Sequence, residues 1–349
     1  MENNLYISSS PHIQGQTSAA RLMWTVVAAL TPAAGYAVYL FGLPSLTVIL
    51  ACVISAVLFE AGAQLAMKKP VSVQDGSAAL SGLILALTLP PGLPIWICAV
   101  GSFVAVVAAK AVFGGLGQNP FNPAMTGRVF MLIAFPKPMT QWIVPRGTGD
   151  ELFQIPVTAL DSAGKVVELC SDKVDTITAA TPLGLLVQYG SDAIREFVPT
   201  KDLFFGTING SLGETSALFL IIGGLFLILT KVITWHIPVA CILTTAVFGA
   251  IFGLDSPGWD GAVFHVFSGG LLLGAFFIAT DYVTSPLYPK GKLVFGAGIG
   301  IFTMVIRLWA GYPEGVSFAV LLMNATVPII DRFTKPKKFG FQPATGGGK

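Results

Sequence analysis

Hydroxyl groups are concentrated in one short polar stretch of this sequence, "DTITAATPLG", which covers residues 175–184. Thr176, Thr178 and Thr181 all fall within six residues there. Hydroxyl side chains of this kind cap helix N-termini or form turns, so Thr178 or the preceding Asp175 is a candidate N-cap. Proline directly after Thr181 favours the first turn of a short helix through "LGLLVQYGSDAIREF". The two alanines before Thr181 leave its hydroxyl sterically open.

Four charged residues stand inside otherwise apolar stretches and are candidates for ion chemistry. They are Glu60, Arg128, Asp281 and Arg307. Placing a charge in the middle of a membrane helix costs about 2.5–3.5 kcal/mol on insertion scales, so such residues default to a functional hypothesis. The alternative is that each lies near the end of a span, where it reaches the interface or finds a partner. Glu60 lies deeper than the other three, which favours a functional role for it.

The composition of the chain indicates whether these residues belong to a membrane protein or to a soluble one. Of the 349 residues, 54% are hydrophobic and only 11% are charged, and the mean hydropathy is +0.75. Soluble domains carry roughly 25% charged residues, so this chain cannot cover a water-facing surface of ordinary size. It is predicted to be an all-α polytopic membrane protein in a lipid bilayer. The net charge of +2, with no basic run interleaved with aromatics, argues against nucleic acid as a partner.

Apolar segments of bilayer-spanning length recur along the chain, each needing about 20 residues. The predicted spans are 22–42, 45–67, 77–95, 96–113, 122–136, 215–233, 236–254, 262–281, 291–310 and 314–331. Prolines and glycines interrupt several of them, as in "LTLPPGLP". Such breaks are tolerated only where protein or a cavity satisfies the freed backbone groups.

The distribution of Lys and Arg in the short loops predicts the orientation. With ten spans, one side holds Lys68, Lys69, Lys110, Lys231, Lys290, Lys292 and the basic tail after the last span. The opposite short loops hold almost none, so both termini are expected in the cytoplasm. The predicted domains are a tail at 1–21, a five-helix half at 22–136, an external segment at 137–214, a second five-helix half at 215–331 and a basic tail at 332–349. The first tail lacks a basic and apolar pattern, so it is not interpreted as a cleavable signal peptide.

A similarity between two stretches suggests internal repetition. The sequence "SGLILALTLPP" starting at Ser81 resembles "SGGLLLGAFFIATD" starting at Ser268, and the following spans also resemble each other. Five spans per half is an odd number, so the halves would have inverted topology. A site is then expected near the middle of the membrane, where broken helices of the two halves meet.

Other polar positions leave two interpretations open. "GGLGQNPFNPAMTGR" ends in a helix for which Asn122 is the predicted cap, and it is either a structural turn or a helix N-terminus facing a polar or anionic ligand. "INGSLGETS" is similar, with Glu214 in the first turn of the sixth span. His236 and His265 are interpreted as structural. The four cysteines lack any CxxC spacing, so this chain alone predicts no metal or iron–sulfur site, although a thiolate shared with a neighbouring protein stays open.

The threonine segment resembles the acceptor motif for covalent flavinylation, Asp-x-x-Ser/Thr-Gly-Ala-Thr/Ser. The matching residues are Asp175, Thr178, Ala180 and Thr181, and Ala179 stands where the motif usually has Gly. In proteins that carry this motif a flavin transferase links FMN through its phosphate to the last threonine. The resemblance implies that Thr181 is the attachment residue, with Asp175 and Thr178 as recognition or phosphate-environment residues.

Further motifs resemble, in order and over nearly the whole chain, the RnfD family of membrane proteins from the Rnf complex. These are "GGLGQNPFNPAMTGR", "GSLGETS", "ATDYVTSP" and the stretch from "GAGIGIFTMVIRLWAG" to "NATVPIIDR". The family has a paralogue in the Na+-translocating NADH:quinone reductase, where it is the B component. The resemblance implies a ten-helix inverted repeat in a bacterial inner membrane, with the FMN segment on the external side.

The same resemblance implies a function. The chain would carry electrons within a ferredoxin:NAD+ oxidoreductase that couples them to Na+ or H+ translocation, as a component of an enzyme that is not catalytic alone. Its partners would be the other Rnf proteins (A, B, C, E and G) and a flavin transferase, and related members also bind riboflavin non-covalently. Glu60 and Asp281 are candidates for the ion path. The alternative from a different class is a channel or secondary transporter for a small polar solute, in which the threonine segment is only a helix cap.

Overall fold

The described part of the chain is almost entirely helical. A computed structural model describes residues 18–143, 158–160, 166–168, 181–206, 208–214, 216–254, 258–310, 312 and 314–336. Apolar helices dominate on both sides of a less apolar middle segment. The coarse prediction of a polytopic helical membrane protein therefore agrees with the fold.

The first half of the chain forms five apolar helices. They are α1 (Ala19–Phe41), α2 (Leu43–Ala66), α3 (Ser77–Leu87), α4 (Ile95–Phe103, continuing as a π-helix over Val104–Ala111) and α5 (Pro123–Ala134). A short α6 (Pro136–Met139) follows. Asn122 caps α5 as predicted, because its side-chain oxygen accepts a hydrogen bond from Met125 N at 3.2 Å.

The described residues of the middle segment form two short strands and two helices. Strands β1 (Thr158–Leu160) and β2 (Val166–Glu168) pair antiparallel, with Thr158 opposite Glu168. Helices α7 (Pro182–Phe197, kinked at Gly190) and α8 (Thr200–Phe205) come next. The prediction of an all-α fold is wrong for this strand pair, where β-branched residues favour extended backbone.

The second half again forms apolar helices. They are α9 (Ala217–Leu229), α10 (His236–Phe252), α11 (Trp259–Phe267), α12 (Leu271–Leu273, continuing as a π-helix over Gly274–Ile278), α13 (Pro289–Trp309) and α14 (Val316–Thr334). Each of the ten predicted spans overlaps helical residues of this set or of the first half.

The helices differ in their capacity to cross a membrane. Within the described residues, four are long and apolar enough, namely α1, α2, α13 and α14, and α11 with α12 passes the same test as one bent pair. Helices α3, α4, α5, α9 and α10 are shorter. The chain is therefore a multi-pass membrane protein, and ten crossings in two inverted repeats stay a prediction.

Two predicted spans are interrupted, and the sequence supplies the reason. Helix α3 ends at Leu87 rather than running to residue 95, because Pro90 and Pro91 cannot continue its hydrogen-bond ladder. The predicted span 262–281 is bent by 68° between α11 and α12. Gly269 lies in that break with a φ of +67°, a backbone conformation that glycine adopts without strain.

Candidate functional site

Thr181 lies at the N-terminus of α7 and is itself the N-cap. Its Oγ1 accepts a hydrogen bond from Gly184 N at 3.1 Å, and its side chain is almost fully buried. The expectation that the hydroxyl is sterically open is therefore wrong, because the helix docks on its neighbours with Thr181 on the buried side. The predicted short helix is therefore present, but it is capped by Thr181 rather than by Asp175 or Thr178. The predicted motif residues Asp175, Thr178 and Ala180 lie outside the described residues.

Helix α7 rests on the break between α11 and α12. Leu183 and Leu185 of α7 belong to a small apolar cluster that includes Phe264 of α11. A Cβ atom added to Gly269 would lie 2.8 Å from Leu183 Cδ1 and 2.7 Å from Arg307 Nη2. The first turn of the Thr181 helix, the broken span and a buried arginine therefore meet at one glycine.

Arg307 stabilises the break between α11 and α12 by donating hydrogen bonds to backbone carbonyls. Its Nη1 donates to His265 O at 2.6 Å and its Nη2 donates to Ser268 O at 2.8 Å. These bonds satisfy carbonyl groups that the end of α11 leaves free. His265, predicted to be structural, has its Nε2 3.0 Å from Gly253 O, which agrees with that interpretation.

Glu60, predicted as an ion-path residue, is paired with a lysine. Lys110 Nζ lies 2.6 Å from Glu60 Oε1 and also donates to Ser77 Oγ at 2.6 Å. Both charged side chains are almost completely buried, on α2 and on the π-helical part of α4. The charge pattern of the sequence places Lys110 among the loop charges, although its position in the apolar run 96–113 marks it as another costly buried charge.

Asp281, the second predicted ion-path residue, follows α12 and stabilises a turn. It accepts hydrogen bonds from Val283 N at 3.3 Å and from Thr284 Oγ1 at 3.2 Å. It does not touch Glu60 directly. The structure brings the two carboxylates to the same region through Lys110, which lines a cavity together with Asp281.

That cavity is a cleft between the two halves of the chain. Its empty volume is about 760 Å³, part of which is open to solvent. The walls of the cleft are mostly apolar and include the aromatic rings of Phe277 and Tyr282. The polar groups of the cleft come from Ser77, Ser81, Lys110, Asn119, Asn122, Thr280 and Asp281. A mostly apolar cleft with a few convergent polar groups is typical of a site for an organic ligand.

A second polar cluster lies around Arg128 of α5. Arg128 forms an ion pair with Glu314, which precedes α14, and both side chains are largely buried. Glu214, which precedes α9, is buried and close enough to attract Arg128 electrostatically. The sequence marks Arg128 as a costly charge but does not point to Glu314 as its partner, because the two residues are 186 positions apart in the chain.

The loop that carries Glu214 joins the broken ends of helices from both halves. Leu212 N donates to Leu89 O at 3.1 Å and Gly213 N donates to Leu87 O at 2.5 Å, which satisfies carbonyls at the end of α3. A Cβ atom added to Gly270, which precedes α12, would lie 4.0 Å from Glu214 Oε1. The loop thus contacts the end of α3 and the start of α12.

The described residues show no cluster of side chains that is typical of a metal site. No group of three or more His, Cys, Asp or Glu side chains in that part of the chain is arranged to hold a metal ion. Cys52, Cys98 and Cys241 are buried free thiols there, and Cys170 lies outside the described residues.

Comparison with known proteins identifies the family. The model of the NQR2, RnfD, RnfE family matches residues 6–340, nearly the whole chain. The chain belongs to this family. The family expected from the sequence motifs is therefore confirmed.

Named relatives within the family are similar over almost their full lengths. A protein of Clostridium ljungdahlii, named as the D subunit of a proton-translocating ferredoxin:NAD(+) oxidoreductase complex, is 44% identical over 345 residues, covering 97% of both chains. One of Acetobacterium woodii, named for Na(+) translocation by the same kind of complex, is 43% identical over 341 residues, covering 97% of this chain and 96% of its own. One of Stutzerimonas stutzeri, named as the D subunit of an ion-translocating oxidoreductase complex, is 42% identical and covers 93% of both chains. The chain is thus almost equally similar to relatives that are named for different ions.

Proposed function

We propose that this chain is the RnfD membrane component of an Rnf-type ferredoxin:NAD+ oxidoreductase, which carries electrons through FMN attached covalently at Thr181 and contributes to Na+ or H+ translocation. The family membership and the full-length similarity to relatives named as D subunits carry the first part of the proposal. The position of Thr181 at a helix N-terminus carries the second. In this proposal the chain is one component of an enzyme and is not catalytic alone.

The surroundings of Thr181 fit a phosphoester. A phosphate on Oγ1 would lie against the first free amides of α7, including that of Gly184, where the helix dipole favours negative charge. Bound FMN would supply the redox chemistry, while the chain supplies position and electrostatics. Arg307 adds a buried positive charge next to the first turn of the same helix.

Burial of the hydroxyl sets the order of maturation. Transfer of FMN from FAD forms the Oγ1–phosphorus bond, breaks the pyrophosphate bond of the donor and releases AMP and a proton. Because Thr181 is only 5% exposed, the transferase must act while the first turn of α7 is open. The flavin transferase is therefore a partner before α7 docks on α11.

The cleft between the halves fits a non-covalent riboflavin. Phe277 and Tyr282 supply aromatic wall, and the side-chain amides of Asn119 and Asn122 offer donors and acceptors suited to the polar edge of a flavin ring. Filling this cleft with Ser81→Trp should remove extractable riboflavin while leaving covalent flavin at Thr181. Unchanged riboflavin content in that variant would contradict the assignment.

The proposed cation path runs along the Lys110–Glu60 pair and Asp281, which lies at the same cleft. In this proposal the path is on the cytoplasmic side of the membrane. Breaking a buried ion pair is costly, so the carboxylate gives up its lysine only when another cation replaces it. Such an exchange is a basis for coupling ion movement to electron transfer. In this proposal both termini are cytoplasmic, the Thr181 segment faces the outside of a bacterial inner membrane, and the Rnf proteins A, B, C, E and G complete the complex.

The bent pair α11–α12 gives some support to a second candidate function, a channel or secondary transporter. Broken helices that meet inside a bundle are the architecture in which such proteins bind solutes. Solute flux through the isolated chain in liposomes without flavin would favour it. The family and the Thr181 motif favour the electron-transfer function.

In-gel flavin fluorescence tests the main proposal. The chain is expressed with an active flavin transferase, separated on a denaturing gel and compared with Thr181→Val. Thr176→Val is the matched control, since it removes the same hydroxyl from the same segment at a position that the motif leaves unspecified. A fluorescent wild-type and control band with a dark Thr181→Val band supports covalent FMN at Thr181. A dark wild-type band beside a fluorescent control substrate would refute it.

A further inference from the structure

The ion pair between Arg128 and Glu314 joins the two halves of the chain. It involves only one of the two carboxylate oxygens of Glu314. Arg128 belongs to α5 of the first half, whereas Glu314 and Glu214 precede helices of the second half. Glu314 Oε1 and Glu214 Oε1 are buried and have no hydrogen-bond partner among the described residues. A buried carboxylate oxygen without a donor is costly, so each marks a place for a missing ligand.

A small cavity lies beside this ion pair. Its empty volume is about 240 Å³, and Arg128, Glu314, Gly270, Thr88 and Ser317 line it. The hydroxyl and carboxylate oxygens in this wall are the ligand type that hard cations and water prefer. The cavity thus has oxygen atoms, and room for about one small ion or one water.

Glu314 lies in the wall of this cavity, and Glu214 lies beside Gly270 of the same wall. Arg307 donates hydrogen bonds to the carbonyls of His265 and Ser268 and also attracts Glu214 electrostatically. Arg128 in contrast pairs with one oxygen of Glu314 and is also attracted by Glu214. Arg128 therefore behaves as an internal cation between two carboxylates.

We propose that Glu214 and Glu314 form a binding site for a monovalent cation, Na+ or H+, for which Arg128 is the tethered competitor. When the cation binds one carboxylate, the guanidinium of Arg128 moves toward the other. No bond other than ion pairs and hydrogen bonds changes, and no electron moves. Identifying this cation with the translocated ion rests on the proposed function, but binding itself does not.

The loop of Glu214 gives this exchange a structural consequence. The same loop donates Leu212 N and Gly213 N to the end of α3 and places Glu214 at the start of α12. Moving Arg128 between Glu314 and Glu214 therefore changes how tightly the broken helices of the two halves are joined.

Thermal unfolding of the full-length chain in detergent tests the site without flavin or electron transfer. NaCl is titrated against choline chloride at constant ionic strength, and a second series varies pH without Na+. A ligand that binds only the folded state raises the unfolding temperature as its concentration exceeds its dissociation constant. Arg128→Gln removes the competitor, so we expect stabilisation by Na+ or by protons to begin at a concentration at least about tenfold lower than in the wild type.

Matched variants distinguish a site from general salt effects. Arg128→Gln/Glu214→Gln and Arg128→Gln/Glu314→Gln should lose the gain, because each lacks one carboxylate. Asp260→Asn removes one negative charge from an exposed position of α11 and should respond as the wild type does. If Arg128→Gln does not fold, Glu214→Gln and Glu314→Gln in the Arg128 background must each weaken the wild-type response.

The outcomes distinguish Na+ from H+ as the bound cation, and they include results that would refute the proposal. A Na+-specific response supports a sodium site, and a response to pH alone supports a proton site. No specific response to either in Arg128→Gln, or the same response after removal of either carboxylate, would overturn the proposal. A dark flavin gel would refute FMN at Thr181 but would leave this measurement unaffected.

Discussion

Lys110 and Glu60 form a contact that is charged, close and cut off from water. The ammonium nitrogen lies 2.6 Å from the carboxylate oxygen, and neither side chain is more than 5% exposed. The two residues are 50 positions apart and meet because α2 packs against α4. A pair of this kind is held by its mutual attraction and by the added hydrogen bond to Ser77.

Breaking this pair on one side should be strongly destabilising. Glu60→Gln or Lys110→Met leaves the other charge buried without its partner, which costs about 3–5 kcal/mol of folding free energy. The double variant Glu60→Gln/Lys110→Met should recover most of that loss. Denaturant or thermal unfolding of the detergent-solubilised chain measures it, and an additive double variant would contradict the coupling.

Thr181 is predicted to have two separable roles, as a helix cap and as the FMN attachment residue. Asparagine is as good an N-cap as threonine but cannot form the phosphoester. Thr181→Asn should therefore keep the stability of the wild-type apoprotein and lose covalent flavin. Thr181→Ala should lose both, with a loss of about 1 kcal/mol in unfolding free energy. Equal stability of the alanine and asparagine variants would show that the cap contributes nothing.

Gly269 should tolerate no side chain. Its φ of +67° disfavours any other residue, and an added Cβ would press on Arg307 Nη2 and Leu183 Cδ1. Gly269→Ala is expected to cost about 1–3 kcal/mol and to loosen α7 from the break, which limited proteolysis of α7 would detect. Gly35→Ala is the control, because its added Cβ meets nothing within 4 Å and should be neutral or stabilising.

Stability should depend on pH through Glu214. Burial raises the pKa of the Glu214 carboxyl, and Arg128, Ser211 and Arg307 only partly oppose this. A carboxyl whose pKa is higher in the folded chain favours folding most at low pH, and this contribution is lost as pH rises from the ordinary glutamate value through the raised one. The charged groups that face Glu214 are Arg128 and Arg307, and Glu314 shares Arg128.

Glu214→Gln should flatten this part of the pH profile. The glutamine keeps the shape of the side chain and cannot ionise, so the fall in unfolding temperature with rising pH should be smaller than in the wild type. Thermal unfolding at a series of pH values measures both curves. Parallel curves would show that Glu214 does not titrate in this range.

Much of the fold follows from local sequence. The apolar runs place helices at all ten predicted positions, Asn122 caps α5 as its spacing indicates, and Pro182 starts α7. These features depend on residues near one another in the chain, so composition and caps suffice to predict them. The exact ends were less predictable, since α3 stops at Leu87 where prolines interrupt the run.

The candidate site was only partly predictable. Glu60 and Arg128 stood out because a charge in an apolar run is costly wherever it lies. Their partners Lys110 and Glu314 were missed as partners, since 50 and 186 positions separate the members of each pair and no local pattern links them.

By itself the sequence determined that this chain is a membrane protein, which family it belongs to and which hydroxyl matches an attachment motif. Composition, periodicity and motifs are properties of neighbouring residues, and they survive without a fold. Only the tertiary structure decided that Lys110 neutralises Glu60, that Arg128 lies between two carboxylates and that the Thr181 helix rests on the break at Gly269. Those relationships arise when helices from distant parts of the chain pack together, because burial then forces each charge to find whichever partner the packing brings within reach.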